Sequence, residues 1–194
     1  MPPDCLCSRS APTTGKHPRM RHPLEKFRFC PVCGSKRFVE STAKSKRCEE
    51  CSFELFINPS AAAAAFILNE RGQLLVVRRG CEPAKGTLDL PGGFSDIGET
   101  SEQTICREIE EETGLTATSA TLLFSLPNDY LYSGFHIPTL DFFYECHVDN
   151  TDRLQANDDA DECFWMDRND ILPDLFGLDS IRKAVTRWLE QQQE

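Results

Sequence analysis

The sequence has no run of about 18 apolar residues, so no transmembrane helix is expected from it. Its first residues contain no 7–15-residue apolar stretch, and a secretory signal is therefore not expected either. No internal repeat is visible, which argues against a solenoid or propeller. Positive charge is scarce: 21 Lys and Arg stand against 31 Asp and Glu, for a net charge of −10. That balance disfavours broad electrostatic capture of nucleic acid or of an anionic membrane. The expected location is the cytoplasm, where the ten cysteines are thiols or metal ligands rather than a disulfide framework.

At 194 residues the chain is long enough for one full domain and a small appendage. Residues 1–24, rich in Pro, Ser, Thr and basic side chains, read as a disordered tail. Translation from Met20 rather than Met1 would remove most of it. In residues 25–56 the pattern Cys30-x-x-Cys33, fourteen residues, Cys48-x-x-Cys51 has the spacing of a four-thiolate zinc ribbon. Pro31 and Gly34 suit the first knuckle turn. Four protein ligands close the coordination sphere, so such a zinc is structural, and it stands in for a core that thirty residues cannot build. The basic residues Lys44, Lys46 and Arg47 leave a nucleic-acid or protein contact open as an added role.

Residues 57–194 form the second expected domain. The stretch AAAAAFILNERGQLLVVRRG reads as strand, turn and strand, with Glu70, Arg71 and Gly72 in the turn. ATLLFSL, TLDFFYECHV and ECFWMD read as further strands. Ile181, Val185, Trp188 and Leu189 mark an amphipathic terminal helix covering the sheet, with Trp188 in the core.

Between these elements lies CREIEEETGL, a helix whose local electrostatics are poor. Glu108, Glu111 and Glu112 stand at i, i+3 and i+4 and share one face. Like charges at that spacing each cost roughly 0.2–0.5 kcal/mol, and carboxylates in a last turn oppose the macrodipole. Ser101 is the expected N-cap and Gly114 the C-cap. Either the face is simply solvated, or a hard divalent cation collects the carboxylates, which suits Mg²⁺ or Mn²⁺.

Read from Gly93, the segment GFSDIGETSEQTICREIEEETGL resembles the Nudix box. Gly93, Glu99, Arg107, Glu108, Ile109, Glu111, Glu112, Gly114 and Leu115 match that pattern without a gap. The preceding LDLPG is similar to that family's approach strand. The resemblance implies an α/β fold: a Nudix-type α/β/α sandwich on a mixed sheet, here preceded by a small zinc ribbon as in NADH pyrophosphatase-like members. It implies Mg²⁺ or Mn²⁺ at Glu108, Glu111, Glu112, the Gly92 carbonyl and Asp159, with Arg107 pairing to Glu99 and assisting the box. Asp159, six residues before Trp165, stands where many members carry a metal-binding glutamate, and Glu162 is the runner-up. The general base is left between a box glutamate and this later carboxylate.

Arg78 or Arg79 would meet substrate phosphates, and Tyr130 or Tyr132 a base. The implied reaction is cleavage of the pyrophosphate in a nucleoside diphosphate derivative such as NAD(H) or ADP-ribose. The segment FSLPNDYLYSGF replaces the SQPWPFPxS-like stretch of NADH pyrophosphatases, so the nucleotide is left open, as is a homodimer. The alternative reading is a catalytically weak zinc-ribbon/Nudix binding module contacting nucleic acid or protein.

Overall fold

The structure, a computed structural model, describes residues 22–155 and 160–191. Two compact units divide the chain, Met1–Phe56 and Ile57–Glu194. The expected tail (apart from residues 22–24) and Asp159 lie outside the described residues.

In the first unit, β1 (Phe38–Thr42), β2 (Ser45–Cys48) and β3 (Glu54–Phe56) form a three-stranded antiparallel sheet. Its core is small. Cys30, Phe38 and Cys48 are buried, with Phe53 and Leu55 packed against them.

The second unit carries two sheets. The first has β4 (Ser60–Ile67) between β7 (Gly92–Phe94) and β9 (Phe135–Val148), with β8 (Ala117–Tyr132) at its far edge. β4 and β9 run parallel and the other pairs are antiparallel, so this sheet is mixed. The second sheet has the order β10 (Ala160–Met166), β5 (Leu74–Arg79), β6 (Leu88–Asp89). The alanine run does form a strand, and the turn follows at Asn69–Gly72, where Gly72 takes φ 74° and donates its N–H to the Asn69 carbonyl. β4 and β5 nevertheless enter different sheets, joined next to the turn by the antiparallel Leu68–Leu74 bridge.

Side-chain alternation at period two explains the layering. Ala64, Phe66, Leu74 and Val76 face the helix α2 (Asp179–Gln191), where Val185 and Trp188 are buried and Trp188 stacks on Phe66 at 4.9 Å. The intervening Ala63, Ala65, Ile67 and Leu75 face the helix α1 (Ser101–Thr113), meeting Ile105 and Ile109. Strands buried on both faces read as continuous apolar runs, and alanines on the α1 side let that helix approach closely. The result is an α/β/α sandwich on mixed strands.

The cap of α1 falls one residue earlier than expected. Thr100, not Ser101, accepts the Gln103 N–H, and the Gln103 side chain accepts the Thr100 N–H in return, forming a capping box. Ser101 opens the helix instead and shares a hydrogen bond with the Tyr144 hydroxyl at 2.6 Å. Gly114 ends it at φ 67°. The terminal helix lies as its periodicity predicts, with Ile181, Val185 and Trp188 buried.

Candidate metal centres and nucleotide cavity

In the first unit, two knuckles bring four sulfurs together. Gly34 at φ 73° and Ser52 at φ 63° turn the chain back after each pair, donating N–H to the Cys30 and Cys48 carbonyls. Cys30 Sγ lies 3.6 Å from Cys51 Sγ, and Cys33 Sγ lies 3.6 Å from Cys48 Sγ. A disulfide needs about 2.05 Å, whereas four sulfurs at about 2.3 Å from one zinc are about 3.8 Å apart. The Cys51 N–H beside Cys48 draws that thiol down to about 6. Soft, crowded thiols on prebuilt turns are a donor set that fits zinc.

In the second unit, α1 lays its glutamates along the β7 strand. Arg107 lies among them as a four-way clamp. Its guanidinium donates to Glu99 at 2.8 and 3.0 Å, to Glu108 at 2.8 Å, to Glu111 at 2.9 Å and to the Phe94 carbonyl at 3.0 Å. Part of the repulsion expected on this helix is therefore offset by a cation supplied within the box. The Arg107 hydrogen bonds hold the Glu99 carboxyl down at about 2.

Glu112 is treated differently. It accepts one hydrogen bond, from the Gly92 N–H at 3.0 Å, and among the described residues no ion pair reaches it. Burial pushes its carboxyl up to about 8, with the Asp89 and Glu108 charges adding to the effect. Burial also raises Glu108, against the pull of Arg107. Two glycines make this crowding feasible. Gly92 holds φ 153°, and a side chain there would collide with the backbone of Ala63 and Ala64. A side chain on Gly93 would occupy the Glu108 carboxylate position. A half-buried carboxylate without a counter-cation, next to a second raised carboxylate, is a hard-oxygen donor set that fits a divalent metal. Among the described residues only the four cysteines form a group of three or more whose ligand atoms all lie within 4.8 Å of one another; the Glu108 and Glu111 oxygens turn to Arg107.

These groups open onto a cavity of about 320 Å³ that is also lined by Arg78, Arg79 and Tyr130. Arg79 turns inward and pairs with buried Asp89 at 2.5 Å, and its Nη2 donates to the Tyr130 hydroxyl at 3.5 Å. Burial pushes the Asp89 carboxyl up, and the Arg79 guanidinium opposes it. Arg78 pairs with exposed Glu162 at 2.8 Å and lies over the Phe164 ring. Tyr130 meets the Phe94 ring edge-on at 5.5 Å, and Tyr132 stacks on it at 6.5 Å. Both tyrosines belong to the β8–β9 arm.

Sequence reasoning did not single out Asp89, Asp141 or Ser180, all of which line the cavity. Asp141 had a readable signal, a single carboxylate inside the apolar run TLDFFYEC, which is costly to bury without a use.

A carboxylate-rich helix against a glycine strand, opening on a cavity with arginines and tyrosines, is an arrangement suited to a phosphate-bearing ligand. Residues 58–189 match the NUDIX domain. The chain is 30% identical over 153 residues to the ADP-ribose pyrophosphatase of Methanocaldococcus jannaschii, a match covering 79% of this chain and 87% of that protein. It is 27% identical over 106 residues to the NAD-capped RNA hydrolase NudC of Vibrio vulnificus, covering 55% of this chain but only 40% of that relative's length. A NUDIX hydrolase from Nitrosomonas europaea shares the fold, with a TM-score of 0.67 over 86% of this chain and 92% of that one at 19% identity. The chain belongs to the Nudix hydrolase family. Among the described residues no helix is long and apolar enough to cross a membrane.

Proposed function

We propose that this chain is a Mg²⁺- or Mn²⁺-dependent hydrolase that cleaves the pyrophosphate of a nucleoside diphosphate derivative, with ADP-ribose as the first substrate to test. The observation that carries this reading is Glu112, half-buried at the cavity wall with no ion pair among the described residues. Similarity to an ADP-ribose pyrophosphatase over most of both chains supports the choice of substrate. Glu108, Glu111 and Glu112 with the Gly92 carbonyl would hold the divalent ion, and Asp159 would complete the set. The ion supplies neutralisation of phosphate charge and Lewis-acid polarisation of phosphorus.

The remaining work belongs to the chain. Arg107 fixes Glu108 and Glu111 in place and ties α1 to the loop through Glu99. Arg78 is the arginine offered to phosphate, since its partner Glu162 is exposed and readily displaced. Arg79 is committed to Asp89 and positions Tyr130, whose ring presents a stacking face. A carboxylate of the box takes a proton from the attacking water. Zinc at Cys30, Cys33, Cys48 and Cys51 is structural.

The test is release of nucleoside monophosphate from ADP-ribose, NADH and dinucleoside polyphosphates with Mg²⁺ or Mn²⁺. Turnover of at least one of them that stops on chelation supports the proposal. Metal-independent turnover, or none with any of them, would refute it.

A further inference from the structure

The cavity has a second polar end that the box does not use. Along one face of the mixed sheet, cross-strand pairing sets Phe94, Ala62, Asp141 and Leu126 in one row. The next row on that face holds Thr139 and Asn128, and the one beyond it holds Tyr130. Asp141 is only 7% exposed, yet its partners are neutral. Thr139 Oγ1 donates to Asp141 Oδ1 at 2.6 Å and Asn128 Nδ2 donates to Oδ2 at 3.2 Å. No ion pair reaches it among the described residues. A carboxylate offers about four lone-pair sites, so two stay open. Across the same cavity, at the head of α2, Ser180 is 1% exposed and its Oγ has no hydrogen-bond partner. A buried hydroxyl left unpaired and a buried carboxylate left half-filled each cost free energy in the empty protein.

Resting on the function proposed above, we infer that Asp141, Asn128 and Ser180 form a subsite for the uncharged end of the substrate, taking paired O–H or N–H donors. Phosphate is excluded there by the Asp141 charge and by the absence of a paired cation. Two moieties carry such donors: the cis-diol of a ribose and the amino edge of a base. Ala62, one row-neighbour of Asp141, leaves an open floor beside it, and Tyr130 supplies an aromatic surface one row beyond Asn128. A purely structural role, in which Asp141 staples β9 to β8 through Asn128, explains neither the bare Ser180 hydroxyl nor the opening of both groups onto one cavity.

The experiment compares wild type, Asp141→Asn and Ser180→Ala in the full chain with Mg²⁺. The probes are ADP-ribose, its 2′-deoxyadenosine analogue and its hypoxanthine analogue. Asp141→Asn is expected to raise KM for ADP-ribose at least tenfold with kcat within a few-fold, and Ser180→Ala to move KM the same way by less. Wild type should disfavour one analogue by roughly tenfold to a hundredfold, the scale of a hydrogen bond to a charged group, and Asp141→Asn should erase that preference. A penalty on the deoxy analogue assigns the diol, and one on the hypoxanthine analogue assigns the base.

The melting temperature of Asp141→Asn should equal or exceed that of wild type, since a buried charge is gone. A collapse of the fold would make Asp141 structural and overturn the inference, as would wild-type KM and wild-type discrimination in both variants. If wild type turns over none of the probes, the substrate reading fails separately, and calorimetric binding of adenosine decides the subsite. At least tenfold weaker binding to Asp141→Asn upholds it, whereas equal binding, or none to either protein, overturns it.

Discussion

The cysteine knuckles and the box helix each gather candidate metal ligands, and they differ in what holds those side chains together without a metal. In the first unit the core cluster is Cys30, Phe38 and Cys48, so two of its three residues belong to the proposed zinc site. In the second, α1 is anchored by Ile105 and Ile109 in a core of its own, and Arg107 already balances Glu108 and Glu111. The metal should therefore make the fold in the first unit and only complete a site in the second.

The largest expected effect follows from the first half of that contrast. Structural zinc sites contribute on the order of 10–16 kcal/mol of binding free energy that is also folding free energy. Cys48→Ser, or stripping of zinc by a strong chelator, should abolish protected amides in β1–β3 while the melting transition of the second unit persists. Hydrogen exchange read by NMR distinguishes the two units. Intact protection in a zinc-free ribbon would break the comparison.

Removing the built-in cation comes next. Arg107→Met leaves Glu99 and Glu108 without their partner. Loss of one member of a buried pair costs about 3–5 kcal/mol, and the 25% exposure of the Arg107 side chain reduces this to roughly 2–3 kcal/mol. Urea unfolding measures it. A change below about 0.5 kcal/mol, the scale of an ordinary surface substitution, would mean that Arg107 does not carry the helix.

How the two sites came to be readable bears on what these tests probe. Spacing alone exposed the knuckles, because paired thiols must recur at fixed turns, whereas the glutamate spacing left a solvated face and a cation site open, and the resemblance to the box decided between them. Glu108 and Glu112 were legible at i and i+4, and the Arg107–Glu99 pair was implied by the resemblance, but the Arg107–Glu108 contact was not, since neighbours at i and i+1 do not ordinarily face each other on a helix. The β8 strand was read only as far as Leu126, because Pro127, Asn128 and Gly134 look like a loop. Pro127 is tolerated there since β8 is an edge strand, where a missing N–H breaks no ladder. That misreading hid Asn128, although Tyr130 on the same strand was singled out as an aromatic. The run of alanines, poor in side-chain information, marked a strand but not its sheet.

A smaller effect separates Glu112 from Glu108. Mg²⁺ binds the folded site and not the unfolded chain, so a hundredfold excess over its dissociation constant should stabilise wild type by about 2.7 kcal/mol. In Glu112→Gln that shift should largely vanish. The metal-free variant should melt above wild type, because the cost of burying a carboxyl pushed up to about 8 is gone. Glu108→Gln should not show this rise, because it also loses the Arg107 contact. Thermal melts at several Mg²⁺ concentrations report all of this, and an equal Mg²⁺ shift in Glu112→Gln would displace the metal from Glu112.

The smallest effect concerns acid. The Glu99 carboxyl is held at about 2 by Arg107, below its ordinary value near 4.5. A depressed folded value means its contribution is complete above the unfolded value and is lost as pH falls from about 4.5 through about 2. The stability gap between wild type and Glu99→Gln should thus be widest near neutrality and close across that window. Chemical denaturation at pH 7, 4 and 2.5 follows it. A gap that widens on acidification would contradict the assignment.

The central claim is tested most directly by AMP release from ADP-ribose at saturating Mg²⁺, comparing wild type with Glu112→Gln in folded, zinc-loaded protein. The account predicts measurable wild-type turnover and a loss in the variant of roughly 10²–10³-fold or more, the scale of removing one group that stabilises the transition state, with the fold intact. Equal turnover by the two proteins would contradict it.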